Sequence, residues 1–169
     1  MNKYDGLSVR KATHEDVNDI LSIIQGRCKW LDEKQIEQWN TTRTYQEDYY
    51  KEKIDNDKFY VGVYQGKVVG TFMMQKSTHY ADEEDNIIYI HHLAADQNYP
   101  GIGFEMFSEI KKLARSNDVH TIRLDSIATN EKLSSYYEKL GFKKIGEIKA
   151  EHYDGKNPGT IVELRIDEE

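Results

Sequence analysis

The feature that most constrains the fold is a buried strand that joins a helix through two glycines near the middle of the chain. The stretch Ile87–Ala95 is apolar at most positions, which predicts a strand buried on both faces. A helical pattern of apolar residues then extends from about Gly103 to Asn117. A joint built on Gly101 and Gly103 indicates either a tight turn with positive φ or a backbone that an anion can approach. The glycines alone do not decide between these alternatives.

The rest of the chain alternates between strand and helix patterns. Alternating apolar residues and β-branched or aromatic runs predict strands at Leu7–Ala12, Phe59–Tyr64, Lys67–Lys76, His120–Ser126, Phe142–Tyr153 and Gly159–Ile166. Apolar residues at helical spacing predict a helix at Glu15–Gln25. Further helices are expected from Asp32 to about Gln38 (with Ile36 and Trp39 on one side), at Tyr45–Ile54 as a polar helix, and at Asn130–Leu140, where Gly141 ends it. Gly26 is expected to end the first helix. The mixture of hairpins and strand–helix–strand crossovers predicts an α+β architecture with helices covering the sheet.

Charge and composition exclude several classes of protein. The 169 residues carry a formal net charge of −7, which disfavours a nucleic-acid-binding surface because such surfaces are basic. The single cysteine, Cys28, cannot form an internal disulfide, and no apolar run approaches the length of a membrane-spanning helix. The N-terminus has no apolar signal segment. We therefore expect one domain over residues 1–169, a cytoplasmic location, and neither a nucleic acid nor a membrane as a partner.

Other phosphate-binding and catalytic motifs do not fit the two glycines or the rest of the chain. A Walker loop requires Lys followed by Ser or Thr after the second glycine, where this chain has Phe104 and Glu105. A dinucleotide fingerprint requires a third small residue where Met106 stands. The chain has no Cys and His set with zinc spacing, no His-Glu-x-x-His and no Gly-x-Ser-x-Gly. We therefore expect no metal ion.

Two motifs resemble the GCN5-related N-acetyltransferase (GNAT) family. Residues Ile88–Ile110, IYIHHLAADQNYPGIGFEMFSEI, resemble its fourth strand, phosphate loop and third helix. Residues Asn130–Gly146, NEKLSSYYEKLGFKKIG, resemble its Asn-containing helix that ends in Tyr-Glu-Lys-Leu-Gly-Phe. The resemblance implies an α+β fold with a mixed, mostly antiparallel central sheet flanked by helices, in which the fourth and fifth strands splay apart. It also implies transfer of an acetyl group from acetyl-CoA to a primary amine, by direct attack in a ternary complex.

The same resemblance implies where acetyl-CoA binds. The pantetheine arm is expected in the gap between the splayed strands, and the diphosphate on the loop and the N-terminus of the helix. The cofactor-binding residues implied are Leu93, Ala94, Ala95, Asn98, Gly101, Ile102, Gly103, Phe104 and Asn130. Asn98 replaces the usual Arg or Gln, and no Lys or Arg lies near the helix start, so backbone N–H groups are expected to hold the diphosphate. A backbone N–H near Leu93 to Ala95 is expected to polarise the acetyl carbonyl.

Two residues of the second motif have both a functional and a structural interpretation. Tyr137 matches the family tyrosine that is often proposed to protonate the departing sulfur, and its alternative role is an aromatic side chain packed under the helix. The packing role suits Tyr136 better. Asn130 matches the residue that binds the pantetheine arm, and it is also a favourable helix N-cap.

The adjacent histidines of the buried strand are expected to point to opposite sides of the sheet, so they do not form a pair of metal ligands. His91 is expected to share a face with Tyr89, Leu93 and Ala95. By resemblance, His91 is a candidate general base, acting directly or through water, because imidazole titrates near neutral pH. The alternative is a packed or hydrogen-bonded histidine.

The sequence identifies neither the acceptor nor the oligomeric state. Trp30, in a predicted loop from Gly26 to Leu31, and the loop His152–Pro158 are expected to border the acceptor pocket by resemblance. The acceptor is a small-molecule amine or the amine of a peptide or protein, and a homodimer is also compatible with the sequence. A catalytically idle acyl-CoA-binding regulator with the same fold is the alternative function.

Overall fold

The computed structural model describes residues 3–33, 46–153 and 155–166. Within these ranges, the strands are β1 (Ser8–Lys11), β2 (Phe59–Tyr64), β3 (Lys67–Gln75), β4 (Ile87–Ala95), β5 (Thr121–Ile127), β6 (Lys143–Ile148) and β7 (Gly159–Arg165). The helices are α1 (Val17–Glu33), α2 (Glu47–Asp55), α3 (Ile102–Ser116) and α4 (Glu131–Lys139). Short 3₁₀ turns precede α1 and follow β6.

The strands form one seven-stranded sheet in the order β1-β2-β3-β4-β5-β7-β6. Neighbouring strands are antiparallel except β4 and β5, which are parallel. These two strands pair only where Ile87–Tyr89 faces Thr121–Arg123, although β4 continues to Ala95 and β5 to Ile127. The sheet therefore opens into a gap between β4 and β5, which confirms the predicted mixed sheet with splayed fourth and fifth strands.

Helices cover both faces of the sheet. One face packs against α3 and α4 through Ile102, Met106, Phe107, Ile110 and Tyr137. The other face packs against α1 and α2 through Val17, Ile20, Ile24, Tyr50 and Ile54. The gap in the sheet is consequently bordered by α3 and α4 on one side and by α1 and α2 on the other.

Two glycines set the position of α3 against the sheet. Gly62 of β2 and Gly70 of β3 lie opposite each other, and Met106 of α3 occupies the notch between them. A Cβ atom on Gly62 or Gly70 would lie only 2.7 or 2.3 Å from the Met106 sulfur. The absence of side chains therefore allows α3 to approach the sheet closely, which places its N-terminus beside the end of β4.

A bulge interrupts β4 at His92. His91 faces Met73 of β3 and Ala94 faces Thr71, so β4 has two residues where β3 has one. His92 takes a left-handed conformation with φ of 53°, a region that histidine enters more readily than most residues. Bulges of this kind redirect the side chains that follow them.

The bulge corrects the predicted orientation of His91. Leu93 and Ala95 pack against the same cluster as Ile88 and Ile90, on the α3 side of the sheet. The side chain of His91 bonds instead to residues on the opposite face, so it does not share a face with Leu93 and Ala95 as the sequence predicted. The strict alternation used for the prediction holds only up to the inserted residue.

The N-terminal helix is longer than predicted. Helix α1 continues through Gly26 to Glu33, so Gly26 does not end it, and Asp32 lies inside α1 rather than at the start of a new helix. A glycine inside a helix costs only about 1 kcal/mol relative to Ala, which packing can offset. The remainder of the predicted second helix, with Ile36 and Trp39, lies outside the described residues.

The end of the chain differs from the sequence prediction in one element. Strand β6 stops at Ile148, and a 3₁₀ turn at Ala150–His152 replaces the rest of the strand predicted to reach Tyr153. The turn directs the connection between β6 and β7 toward the gap in the sheet. Among the helices of the described ranges, none has both the length and the apolar character needed to cross a bilayer.

Candidate active site

The gap between β4 and β5 opens into a cleft of about 910 Å³. Its walls come from α1, α2, the two strands, the N-termini of α3 and α4, and Tyr153 of the connection between β6 and β7. This volume is at the upper end of what small-molecule and cofactor pockets span. The cleft is therefore large enough for an extended ligand, and each end of it has a different chemistry.

The first end is formed by the N-terminus of α3. Gly101, Gly103 and Phe104 line the cleft, and within the described residues their backbone N–H groups have no hydrogen-bond acceptor. Gly101 precedes the helix with φ of 81°, a conformation that costs glycine little. Three unpaired N–H groups at the positive end of the helix dipole favour an anion.

Two of the predicted cofactor residues lie outside the lining of the cleft. The N–H of Asn98 donates to Asp96 Oδ1 at 2.9 Å, and that of Ile102 donates to the Tyr99 carbonyl at 3.1 Å. The side chain of Ile102 is buried in the core beneath α3. We therefore do not include Asn98 and Ile102 in the anion site, because their donors are already used.

The middle of the cleft is lined by the end of β4. Leu93, Ala94 and Ala95 all line it. The hydroxyl of Thr71 donates to the His92 carbonyl at 2.8 Å, so this carbonyl points toward β3. Since the C=O and N–H of one peptide plane point in opposite directions, the N–H of Leu93 points away from β3, into the gap. This N–H is positioned where a polarised carbonyl could be bound.

Asn130 combines the two roles that the sequence left open. It is the N-cap of α4, where its side-chain oxygen accepts the Leu133 N–H at 3.0 Å. It also lines the cleft. The cap uses the Asn130 oxygen, so the side-chain NH₂ group stays available as a donor to a ligand.

The two tyrosines of α4 occupy different parts of the cleft. Tyr137 is 8% exposed and packs against Phe142, yet it lines the cleft, and its hydroxyl has no hydrogen-bond partner in the described residues. Burial, and then the charge of Asp125, raise the pKa of Tyr137, which keeps its proton in place at neutral pH. Tyr136 is 38% exposed, and its hydroxyl lies 3.8 Å from where a Cβ on Gly103 would be. Packing beneath the helix thus describes Tyr137 better than Tyr136, contrary to the expectation.

A buried carboxylate that the sequence did not single out lies on the opposite wall. Asp125 of β5 accepts hydrogen bonds from the hydroxyls of Tyr80 and Tyr153, each at 2.8 Å, and from His91 Nε2 at 2.9 Å. Burial pushes the pKa of Asp125 up, but the hydrogen bonds from His91, Tyr80 and Tyr153 outweigh it and hold the pKa below its usual value. Asp125 is therefore a fixed negative charge in the cleft.

Both ring nitrogens of His91 are engaged. Nε2 bonds to Asp125, and Nδ1 lies 2.7 Å from Gln75 Oε1. The hydrogen-bonded alternative that the sequence left open is therefore present. In this arrangement His91 offers no free nitrogen to a ligand, so direct proton abstraction requires the contact with Gln75 to open.

His92 lies on the α2 side of the gap. Its Nε2 is 3.2 Å from the Tyr49 hydroxyl, and its ring packs near Tyr50 and Phe59. Burial, followed by the neighbouring His91, lowers the pKa of His92 to about 4. The ring is accordingly neutral at physiological pH, and it packs in this wall and bonds to Tyr49.

Two cations that the sequence did not single out also line the cleft. Arg27 and Trp30 of α1 both line it, with the guanidinium 4.6 Å from the Trp30 ring centre. Trp30 thus borders the cleft, but from a helix and not from the predicted loop. Lys132 of α4 supplies the second cation of the lining. Arg27 was not identified as a site residue because α1 was predicted to end before it, at Gly26. Asp125 could have been identified from the sequence, because Arg123 and Asp125 alternate with apolar residues in β5.

No group of three or more His, Cys, Asp or Glu side chains among residues 3–33, 46–153 and 155–166 is arranged to hold a metal ion. The polar groups that the described residues present to the cleft include backbone N–H groups, phenols, two carboxylates, three histidines and two cations.

Known proteins resemble the chain over most of its length. The family model for the acetyltransferase (GNAT) family matches residues 24–142. N-acetylaspartate synthetase from Xenopus tropicalis is 32% identical over 109 residues, which are 63% of this chain and 37% of that protein. The chain thus spans little more than a third of that curated relative.

Solved structures match the fold. A GNAT-family acetyltransferase from Listeria monocytogenes superposes with a TM-score of 0.75 at 20% identity, over 94% of each chain. N-acetylglutamate synthase from Neisseria gonorrhoeae, complexed with coenzyme A and N-acetyl-glutamate, superposes with a TM-score of 0.67 at 20% identity, over 97% of this chain and 36% of that one. With the family model covering well over half of its residues, the chain belongs to the acetyltransferase (GNAT) family.

Proposed function

We propose that the chain is an N-acetyltransferase that moves an acetyl group from acetyl-CoA to a small-molecule amine, by direct attack within a ternary complex. The observation that carries this proposal is the continuous cleft that runs between the splayed strands to the unpaired N–H groups at the N-terminus of α3. An anion at that end and a thioester in the gap are what acetyl-CoA would supply.

The residues present fit coenzyme A. The N–H groups of Gly101, Gly103 and Phe104 would hold the diphosphate. Lys132 precedes Tyr136 by four residues, which places both on one face of α4, and the Tyr136 hydroxyl lies beside Gly103. Lys132 therefore supplies a positive charge near the same end. The side-chain NH₂ of Asn130 would donate to the amide oxygens of the pantetheine arm.

The reaction requires a hydrogen-bond donor for the acetyl oxygen, a base for the amine and an acid for the sulfur. The Leu93 N–H would donate to the acetyl oxygen as negative charge develops there. The amine nitrogen bonds to the acetyl carbon and the carbon–sulfur bond breaks, so the amine loses a proton and the sulfur gains one. Tyr137 would donate the proton to the sulfur, because its hydroxyl is protonated and unpaired in the described chain.

The Asp125 and His91 pair is proposed to receive the amine. Asp125 accepts three hydrogen bonds of about four that a carboxylate can accept, so one position remains for the amine. In the neutral tautomer that keeps its hydrogen on Nε2, His91 would take the proton on Nδ1 once the Gln75 contact opens, or through a water molecule, while Asp125 stabilises the resulting imidazolium.

A small-molecule acceptor is supported over a peptide or protein by the names of the relatives. The frog protein is named for the synthesis of N-acetylaspartate, and the Neisseria structure contains N-acetyl-glutamate. Both names refer to amino acids. The acceptor end of the cleft also lies between α1, α2 and the connection that carries Tyr153, which suits a compact molecule.

Measuring thiol release from acetyl-CoA in the presence of a panel of amino acids, polyamines and short peptides tests the proposed function. We expect release that depends on one or more of the small amines. Binding of acetyl-CoA without release in the presence of any amine would favour the catalytically idle regulator instead, and absence of binding would overturn both.

A further inference from the structure

We propose that the acceptor carries a carboxylate and that Arg27 binds it, so that the enzyme acetylates amino acids and not simple amines. This inference rests on the proposed function and identifies the residue that selects the acceptor. The observations behind it are the position of Arg27 in the cleft, the absence of a carboxylate partner for it in the described chain, and the opposite charge on the facing wall.

Arg27 is held in place without being neutralised. It lies on α1, is half-buried, and stacks on Trp30, which is three residues further along the helix. No Asp or Glu of the described residues forms an ion pair with it. A partly buried arginine usually pairs with a group of opposite charge, because burial removes hydration from the guanidinium and a charged partner compensates for this loss. An anionic ligand group would restore it here.

The position of Arg27 separates it from the anion site at α3. Its charge reaches the buried Tyr137 as well as Tyr136, and only Tyr136 lies beside Gly103. Its neighbours on α1 that line the cleft, Ile24 and Cys28, belong to the core under α1 and α2. Arg27 therefore faces the reacting end of the cleft, where Tyr137 lies.

Asp125 supplies the complementary charge. Tyr137 is within electrostatic reach of both groups: Asp125 raises its pKa and Arg27 lowers it. An amino acid with its amine at Asp125 and His91 and a carboxylate at Arg27 would place its nitrogen beside Tyr137. A guanidinium suits this task because its planar fork donates two parallel hydrogen bonds to a carboxylate.

Matched acceptors test the proposal. We would measure kcat/KM for L-aspartate, L-asparagine, L-aspartic acid α-amide and the diamide, in the wild-type protein and in Arg27→Gln and Arg27→Lys. A charge-assisted hydrogen bond is worth about 1.5–3 kcal/mol. In the wild-type protein, kcat/KM should therefore be about 10- to 150-fold higher for the acceptor with the free carboxylate that Arg27 binds than for the acceptor with that carboxylate converted to an amide. Arg27→Gln should abolish this ratio, and Arg27→Lys should retain part of it.

Lys132→Gln is the matched control, because it removes a positive charge from the cofactor end of the same cleft. It should raise the KM for acetyl-CoA and leave the ratio of acid to amide unchanged. If Arg27→Gln raises the KM for acetyl-CoA and leaves the ratio unchanged, Arg27 belongs to the cofactor site and the proposal is wrong. Equal rates for acids and amides in the wild-type protein also overturn it while leaving the acetyltransferase intact, whereas no release with any amine rejects the proposed function itself.

Discussion

At the residue scale, Tyr137 has the most specific chemical role that we propose for a side chain. Replacing it with Phe keeps the ring that packs against Phe142 and removes only the hydroxyl. If the hydroxyl protonates the sulfur, kcat should fall about 100- to 10,000-fold, as for loss of a general acid. The affinity for acetyl-CoA and the melting temperature should change little, because the hydroxyl has no partner within the described residues. Steady-state kinetics measures kcat, and calorimetry measures the affinity for acetyl-CoA and the melting temperature.

Tyr136→Phe is the control for this substitution. Its hydroxyl lies beside Gly103, at the end of the cleft away from the proposed chemistry. We expect a change in KM for acetyl-CoA with kcat within a few-fold of the wild-type value. A loss of kcat in Tyr136→Phe together with normal kcat in Tyr137→Phe would show that the two roles have been exchanged.

The hydrogen bond between His91 and Asp125 predicts that these residues act as one unit. His91→Gln and Asp125→Asn should each lower kcat by about 100-fold or more. The double variant should be little worse than either single variant, because groups that act together are strongly non-additive. If the double variant loses kcat by the product of the two single losses, His91 and Asp125 act independently and the prediction is wrong. If kcat is near normal in both single variants, neither residue takes part in the reaction.

Burial of neutral His92 predicts a pH dependence of stability. With a pKa of about 4 in the folded protein, His92 stays unprotonated between pH 6.5 and pH 4, whereas the unfolded chain takes up a proton there. The unfolding free energy should therefore fall as the pH is lowered through this range, by up to about 1.4 kcal/mol per pH unit. Denaturant titrations of the wild type and of His92→Asn measure it. Asn tolerates the left-handed backbone and does not titrate, so parallel curves for the two proteins would refute the prediction.

At the scale of elements, the start of α3 allows a paired test. Gly101→Ala forces a side chain into φ of 81°, which should cost about 1–2 kcal/mol of stability. It should also weaken acetyl-CoA binding about tenfold or more, by moving N–H groups of the anion site. Gly103→Ala meets only ordinary contacts at 3.8 Å and should change stability by about 0.5 kcal/mol or less. Equal behaviour of the two variants in calorimetry would show that the Gly101 backbone does not organise the site.

The elements themselves were largely predictable, because hydrophobic periodicity is a local property. Strand β4 has the predicted bounds Ile87–Ala95, and Asn130 caps α4 as expected. The bulge at His92 was not predictable from the apolar pattern, since its inserted residue depends on how β4 pairs with β3. Gly26 misled the prediction of α1 because the cost of one glycine is small against the packing of the helix.

The functional site was predictable only where a local motif defines it. The glycines of the α3 N-terminus, Asn130 and Tyr137 lie in contiguous motifs, and all of them line the cleft. Arg27 and Asp125 lie far apart in the chain, and both line the cleft because the sheet opens between β4 and β5.

At the scale of the whole molecule, acetyl-CoA should stabilise the fold. At 100 times its dissociation constant, a ligand adds about 2.7 kcal/mol to the unfolding free energy, or about 5–10 °C in melting temperature for a chain of this size. ATP at the same concentration is the control, since it has a nucleotide and phosphates but no pantetheine arm for the gap between β4 and β5. Equal shifts with both would indicate an unspecific anion effect.

The most direct test of the central claim is a mass-spectrometric measurement with acetyl-CoA that carries a deuterated acetyl group. The protein is incubated with this thioester and with L-aspartate or another amine that supports thiol release, and the products are quantified together. We expect the labelled acetyl group to appear on the amine nitrogen, in an amount equal to the free coenzyme A. Recovery of the label as acetate, or coenzyme A released without an acetylated amine, would contradict acetyl transfer to an amine.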